Sequence, residues 1–266
     1  MAASNRLRVG AVNYLNTKPL IHGLEELAPQ IELILDLPSR LADGLAAGSL
    51  DVALIPSVEC LQDPAYRVVS DACIGCRGPV LSVKLFFRTD PKAVRSLALD
   101  EGSRTSAALS RILLRERFGI EPLLEPLPIG NSLADTTADA VLLIGDRAIH
   151  SPGGEYKAVW DLGDEWCRWS ELPFVFALWT ARPGVELGQL EVALSRARDW
   201  GLEHLEDIAA AEAAPLGLTQ PECLAYLRDY LHFRFGPRER QGLELFYRYV
   251  AEMGLAPRGV DLGSLA

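Results

Sequence analysis

Arg8-Val9-Gly10-Ala11-Val12-Asn13-Tyr14-Leu15-Asn16-Thr17-Lys18-Pro19-Leu20 reads as a short strand that breaks into a polar loop and restarts as a helix. Arg8–Val12 supplies the strand. Thr17 is placed to cap the helix, Pro19 sits in its first turn, and Leu20, Ile21, Leu24 and Leu27 line one helical face. Ile31–Leu37 follows as a second strand and stops at Pro38-Ser39. Arg40–Gly48 carries Leu41, Leu45 and Ala46 at helical spacing and ends on a glycine. Val52-Ala53-Leu54-Ile55 is an uninterrupted apolar strand closed by Pro56-Ser57. The order is therefore β-α-β-α-β, the pattern of a parallel sheet with helices on its faces.

The same pattern restarts further on. Val80–Arg88 alternates apolar and polar residues as a strand does. Val94–Leu99 is a strand, Asp100–Ser106 a polar turn, and Ala107–Phe118 a helix with Leu109, Ile112 and Leu113 inward. Glu121–Leu127 and Ala138–Ile144 are further strands, the last ending at Gly145-Asp146-Arg147. Ala158–Leu162 and Phe174–Thr180 are strand-like, and from Leu187 the chain reads as three helices: 187–213, 220–233 and 238–253. Those helices must pack on something. Docked on the first unit, they make the second an insertion, which predicts lobe one as residues 1–90 plus 176–266 and lobe two as 91–175. The fold class is α/β and two-lobed, with a ligand cleft between the lobes.

Composition narrows the partners. With 49% hydrophobic and 23% charged residues the chain has an ordinary globular balance. A formal charge of -10 argues against nucleic acid and anionic membranes as partners, though not against a small anion held by local donors. No apolar run is long enough to span a bilayer. The start, Met1-Ala2-Ala3-Ser4-Asn5, lacks an apolar leader, and five scattered cysteines (Cys60, Cys73, Cys76, Cys167, Cys223) fit a reducing compartment, so a cytoplasmic setting is expected. Oligomeric state is not legible, and a homodimer stays open.

In open parallel sheets, ligands bind where strand ends feed helix starts. Four loops qualify: Asn13–Thr17, Pro56-Ser57, Gly102–Ser106 and Gly145-Asp146. Free N–H groups there, joined by the hydroxyls of Ser103, Thr105 and Ser106, favour a carboxylate or phosphate. Each hydroxyl alone is ordinarily just a helix cap; their recurrence at one end of successive strands is the stronger signal. Cys73-Ile74-Gly75-Cys76 has metal-site spacing but no second ligand pair, and His22, His150, His204 and His232 are dispersed, so neither a metal nor another cofactor is expected. Trp160, Trp166 and Trp169 read as packing at a lobe interface rather than as a cleft wall. No dinucleotide, Walker or nucleophile-elbow motif is present.

Residues 9–20 as quoted resemble the opening signature of the chorismate dehydratases of the futalosine route to menaquinone. The likeness continues through Pro38-Ser39 and Gly48–Pro56, Gly78-Pro79-Val80-Leu81-Ser82-Val83, Asp100 with Ser103-Arg104-Thr105-Ser106, and Asp139 with Ile144-Gly145-Asp146-Arg147-Ala148. These blocks span more than half the chain in order. The resemblance implies the type II periplasmic-binding-protein fold used for catalysis: loss of water from chorismate to give 3-(1-carboxyvinyloxy)benzoate. Removing the ring hydroxyl and the hydrogen on the adjacent ether-bearing carbon makes the ring aromatic, which drives the step.

Asn16 matches the family's cleft asparagine. An amide is no strong base, so its expected role is to hydrogen-bond the leaving hydroxyl or orient the substrate. No convincing His or Lys base stands in the motifs, which leaves a substrate carboxylate to take the proton. Ser82, Thr105 and Ser106 are the expected carboxylate binders, with Ser103, Ser57 and Asp146 as further candidates. The sister 1,4-dihydroxy-6-naphthoate synthases open differently and employ a histidine that these loops lack. A non-catalytic binding protein for small dicarboxylates is the rival from another class; it calls for an export signal that the sequence does not display.

Overall fold

The computed structural model describes residues 6–150 and 154–257. The expected cytoplasmic start at residues 1–5 and the end of lobe one at 258–266 lie outside the described residues. Among the described residues there are eleven strands: β1 (Leu7–Val12), β2 (Ile31–Asp36), β3 (Val52–Pro56), β4 (Arg67–Cys76), β5 (Val83–Phe87), β6 (Ser96–Asp100), β7 (Leu123–Leu127), β8 (Ala140–Ile144), β9 (Ala158–Asp161), β10 (Phe174–Ala181) and β11 (His232–Arg234).

They form two sheets. The first has the order β11-β4-β10-β3-β1-β2, the second β7-β6-β8-β5-β9. β1 runs parallel to β2 and β3, whereas β10 returns antiparallel between β3 and β4. In the second sheet β6 runs parallel to β7 and β8, and β5 runs antiparallel to β8 and β9. Every residue of β3, β8 and β10 is buried, as expected of strands covered on both faces.

The two β-α-β units stand where the sequence puts them, but several boundaries move. β5 pairs with β8 and β9, so residues 83–87 belong to the second sheet and the crossing from the first lies before Val83. Alternation in β5 shows a strand and not which sheet receives it. The first helix is split into Lys18–Ile21 and Leu24–Leu27. Gly23 between them has φ +64, and a Cβ there would stand 2.3 Å from the Trp200 indole of the helix Leu190–Glu203. Thr17 holds the N-cap position, but its hydroxyl makes no capping bond and donates instead to Asn16 Oδ1 at 3.4 Å.

β4 is absent from the sequence reading, since Ser70-Asp71 and Gly75 break its apolar run. Tertiary contacts carry it: buried Arg198 reaches across to donate to the Asp71 carbonyl at 3.1 Å. The C-terminal tail is also more broken than expected. Residues 187–213 form two helices, Leu190–Glu203 and Leu205–Glu212. Residues 220–233 form the helix Gln220–Ala225, a π-helical turn Tyr226–Tyr230 and then β11, which pairs with the edge of β4.

The tryptophans are packing residues. Trp166, on the unanticipated helix Leu162–Ser170, is fully buried against Phe174, and its Nε1 donates to Pro173 O at 3.2 Å. Trp160 packs edge-on to Phe87. Cys73 and Cys76 are buried in β4 as free thiols, and no group of metal-binding side chains occurs among the described residues.

Candidate active site

A cavity with about 50 Å3 of room for water-sized molecules opens between the two sheets. The first sheet contributes Val12, Pro56, Ile74, Phe176 and Ala177; the second side contributes Val80, Val83 and Ile144. These make apolar walls. Polar groups enter at a few points only: Tyr14, Asn16, Ser82, Ser103, Ser106 and the Gly145 backbone. Apolar walls with a few convergent polar groups suit a small ring-bearing ligand.

The loop after β1 reaches across to the second lobe. Leu15 N donates to Asp146 Oδ1 at 3.2 Å, and the Tyr14 ring lies on Gly145. Gly145 has φ 69 and ψ -157, a region open only to glycine, and a Cβ there would meet Tyr14 Cζ at 2.9 Å. Burial, with the nearby Asp100 charge, pushes the Tyr14 phenol up to about 12, so it stays protonated at neutral pH. Asn16 is half-buried on the cavity wall.

Ser82 is delivered by a strained turn. Its N–H donates to Val80 O at 2.7 Å, closing a three-residue γ-turn around Leu81, which has φ 60. The Asp161 carboxylate holds the turn, accepting from Val80 N and Leu81 N as well as from Gly163 N and Asp164 N. Burial raises the Asp161 pKa, and those four N–H groups oppose the rise.

Ser103 caps the helix Arg104–Phe118, accepting from Ser106 N at 3.3 Å and donating to Ser106 Oγ at 2.8 Å. The positive end of a 15-residue helix thus faces the cavity. Asp100, at the end of β6, is buried behind it, accepts from Gly102 N and Ile144 N, and pairs with Arg147. Burial raises its pKa against those partners.

Of the residues singled out in the sequence, Asn16, Ser82, Ser103 and Ser106 come together on the cavity. Ser57, Thr105 and Asp146 stand behind it in contacts between the lobes. Ser57 Oγ donates to Val175 O at 2.7 Å, and Thr105 Oγ1 accepts from Val58 N at 3.2 Å and lies 3.4 Å from Ser57 Oγ. Asp146 is engaged by Leu15 N. Arg104 adds ion pairs to Asp43 at 2.7 Å and Glu59 at 3.4 Å.

Sequence reasoning passed over Tyr14, Asp161 and Tyr226. Tyr14 lies inside a quoted motif, where its position between Asn13 and Asn16 was the available signal. Asp161 and Tyr226 carry no sequence signal, because their neighbours come from distant segments. Tyr226, fully buried on the π-helical turn, faces the side chains of Ser82 and Asn16.

Among the lining residues there is no Lys, Arg, His, Asp or Glu, and Tyr14 is the one titratable side chain. The site can therefore orient, donate hydrogen bonds and exclude water, but it offers no protein base at neutral pH.

The fold is shared with solved structures. A protein of Archaeoglobus fulgidus superposes with a TM-score of 0.75 at 17% identity, covering 96% of this chain and 100% of that one. A Candida albicans gene product described as having the generic periplasmic-binding-protein fold superposes at 0.60 with 12% identity, covering 97% and 92%. In sequence, the chorismate dehydratase of Thermus thermophilus is 32% identical over 260 residues, which cover 90% of this chain and 93% of that protein. The family model described as menaquinone biosynthesis matches residues 7–252. With that match across nearly the whole chain, and a two-sheet fold of type II periplasmic-binding-protein kind around the cavity, the protein belongs to the menaquinone-biosynthesis family.

Proposed function

We propose that this protein is a chorismate dehydratase, a hydro-lyase that binds chorismate in the cavity between its lobes and releases 3-(1-carboxyvinyloxy)benzoate and water. The observation that carries the mechanism is the absence of a basic side chain among the lining residues. The reaction needs a C–H bond broken and a hydroxide expelled, and the substrate supplies both a base and a strong driving force. Its ether-borne carboxylate hangs from the carbon that loses the proton. The C–H proton passes to that carboxylate, the C–H electron pair becomes the new ring double bond, the C–O bond breaks, and the departing hydroxide takes up the same proton from the carboxylic acid and leaves as water.

The protein's share is orientation and hydrogen bonding. The start of helix Arg104–Phe118, with Ser103 and Ser106, holds a carboxylate on N–H and O–H donors. Asn16 and Ser82 face the departing hydroxyl. Apolar walls and Tyr14 keep out bulk water. No metal or organic cofactor has a part in this scheme. We draw the lobes as residues 6–82 plus 174–257 and residues 83–173, and place the enzyme in the cytoplasm on the futalosine route, as the resemblance of the motifs implies.

Purified protein treated with chelator and incubated with chorismate is expected to yield catalytically a product one water lighter with an aromatic absorption spectrum. Chorismate returned intact by folded protein would sink the reading in favour of a dicarboxylate-binding protein. The sister naphthoate synthase is disfavoured because no histidine lines the cavity.

A further inference from the structure

Five buried side-chain polar atoms among the described residues close no hydrogen bond, and two of them, Ser82 Oγ and Tyr226 Oη, belong to one cluster beside the cavity. The third member is Asn16. Ser82 and Asn16 line the cavity; Tyr226 stands behind them and does not. The Tyr226 ring and hydroxyl are 1% exposed. A buried hydroxyl without a partner costs roughly 1–3 kcal/mol, so a fold retains one only where something else requires it.

The local backbone places this hydroxyl deliberately. The helix Gln220–Ala225 begins with a full capping box at Thr219 and Glu222, then widens into the π-helical turn at Tyr226 and ends in β11. Widened turns of this kind insert a residue and re-aim the side chains around it, and they recur at functional sites. Here the turn is pinned at both ends, by the capping box and by the pairing of β11 with β4. Burial pushes the Tyr226 phenol far above its ordinary range, while Ser82 and Asn16 oppose the rise, so the phenol is a permanent donor.

We propose that Tyr226 is a positioning residue for the dehydration, donating its hydroxyl hydrogen to the Ser82–Asn16 pair so that their own donors point at the departing substrate oxygen. The inference rests on the dehydratase reading. Asn16 Oδ1 already accepts from Thr17, which leaves its amide N–H groups for the cavity. Ser82 Oγ can donate only once, and a hydrogen bond received from Tyr226 both directs that donation into the cavity and strengthens it. No proton leaves the phenol at any stage. The gain arises as negative charge develops on the leaving oxygen, so Tyr226 acts on turnover more than on binding.

The test is Tyr226→Phe, compared with wild type for kcat, KM for chorismate and thermal midpoint. The expected result is a kcat lowered about tenfold or more with KM within about threefold, since an interaction felt mainly in the transition state is lost. The midpoint is expected to hold, because the ring still fills its space. A kcat within about twofold of wild type would overturn the proposal. So would a lowered midpoint with kcat and KM impaired together, the mark of a structural role. Tyr226→Leu, which also removes the ring, should lose stability as well and serves as the packing control. Wild-type protein that leaves chorismate unchanged removes the dehydratase reading and this inference with it, and is told apart from a failure at Tyr226 by that control alone.

Discussion

The Asp161 carboxylate lies 2.7 Å from the backbone nitrogen of Leu81 and holds that residue at φ 60, a conformation that a leucine adopts only under constraint. Leu81 is the centre of the turn that presents Ser82 to the cavity, so a side chain at the end of β9 sets the position of a hydroxyl at the start of β5.

Asp161→Asn would turn an amide N–H2 toward backbone donors that now point at a carboxylate. We expect a loss of about 1–3 kcal/mol in stability, the cost of buried donors left unpaired, together with reduced kcat/KM. Urea denaturation and steady-state kinetics measure both. Leu81→Gly, which relieves the positive φ, is expected to restore part of the stability lost in Asp161→Asn. An Asp161→Asn variant as stable as wild type would show that the turn does not need its anchor.

Gly145 is constrained twice over, by its φ 69, ψ -157 conformation and by the Tyr14 ring. Gly145→Ala should cost about 1–3 kcal/mol from backbone strain alone, with more from displacing Tyr14. Activity should fall with stability, because Tyr14 forms a cavity wall. Unchanged activity in a destabilised variant would separate Tyr14 from catalysis.

Asn16→Ala is expected to lower kcat on the order of a hundredfold and to change chorismate KM far less, since the amide acts on the departing hydroxyl. Product formation at saturating substrate and binding by calorimetry give the two numbers. Equal losses in both would mean that Asn16 merely holds the substrate.

With a substrate carboxylate as base and no Lys, Arg, His, Asp or Glu among the described residues lining the cavity, kcat should be flat between pH about 6 and about 9. A bell-shaped profile with a limb near pH about 6.5 would point to a histidine and defeat the scheme. At the alkaline end the sign is set by Tyr14. Its pKa is raised from 10.0 to about 12 in the folded protein, so the folded state resists ionisation that the unfolded chain accepts. Its contribution to stability is whole below pH 10 and is lost as pH rises toward about 12. Substituting Tyr14→Phe should flatten that alkaline loss in a urea titration.

By itself, the sequence determined the two β-α-β units and the strand-end loops, because apolar periodicity and helix-start chemistry are local properties. β3, read as Val52–Ile55, and the helix start at Ser103 stand where those rules put them. Ser103 and Ser106 were legible because loops at one end of a parallel sheet converge, and Asn16 and Ser82 through the resemblance of the motifs that hold them. Tertiary structure alone decided the rest. β4 exists because Arg198 and β10 compensate its polar centre, and the tail ends in β11 because an edge of β4 was open to it. β5 joined the second sheet because β8 and β9 received it. Thr105, Ser57 and Asp146 make contacts between the lobes, since a hydroxyl or carboxylate bonds whichever partner folding brings nearest. The grouping of Tyr226 with Asn16 and Ser82 joins three segments that no local pattern connects, and only the packed chain brings them together.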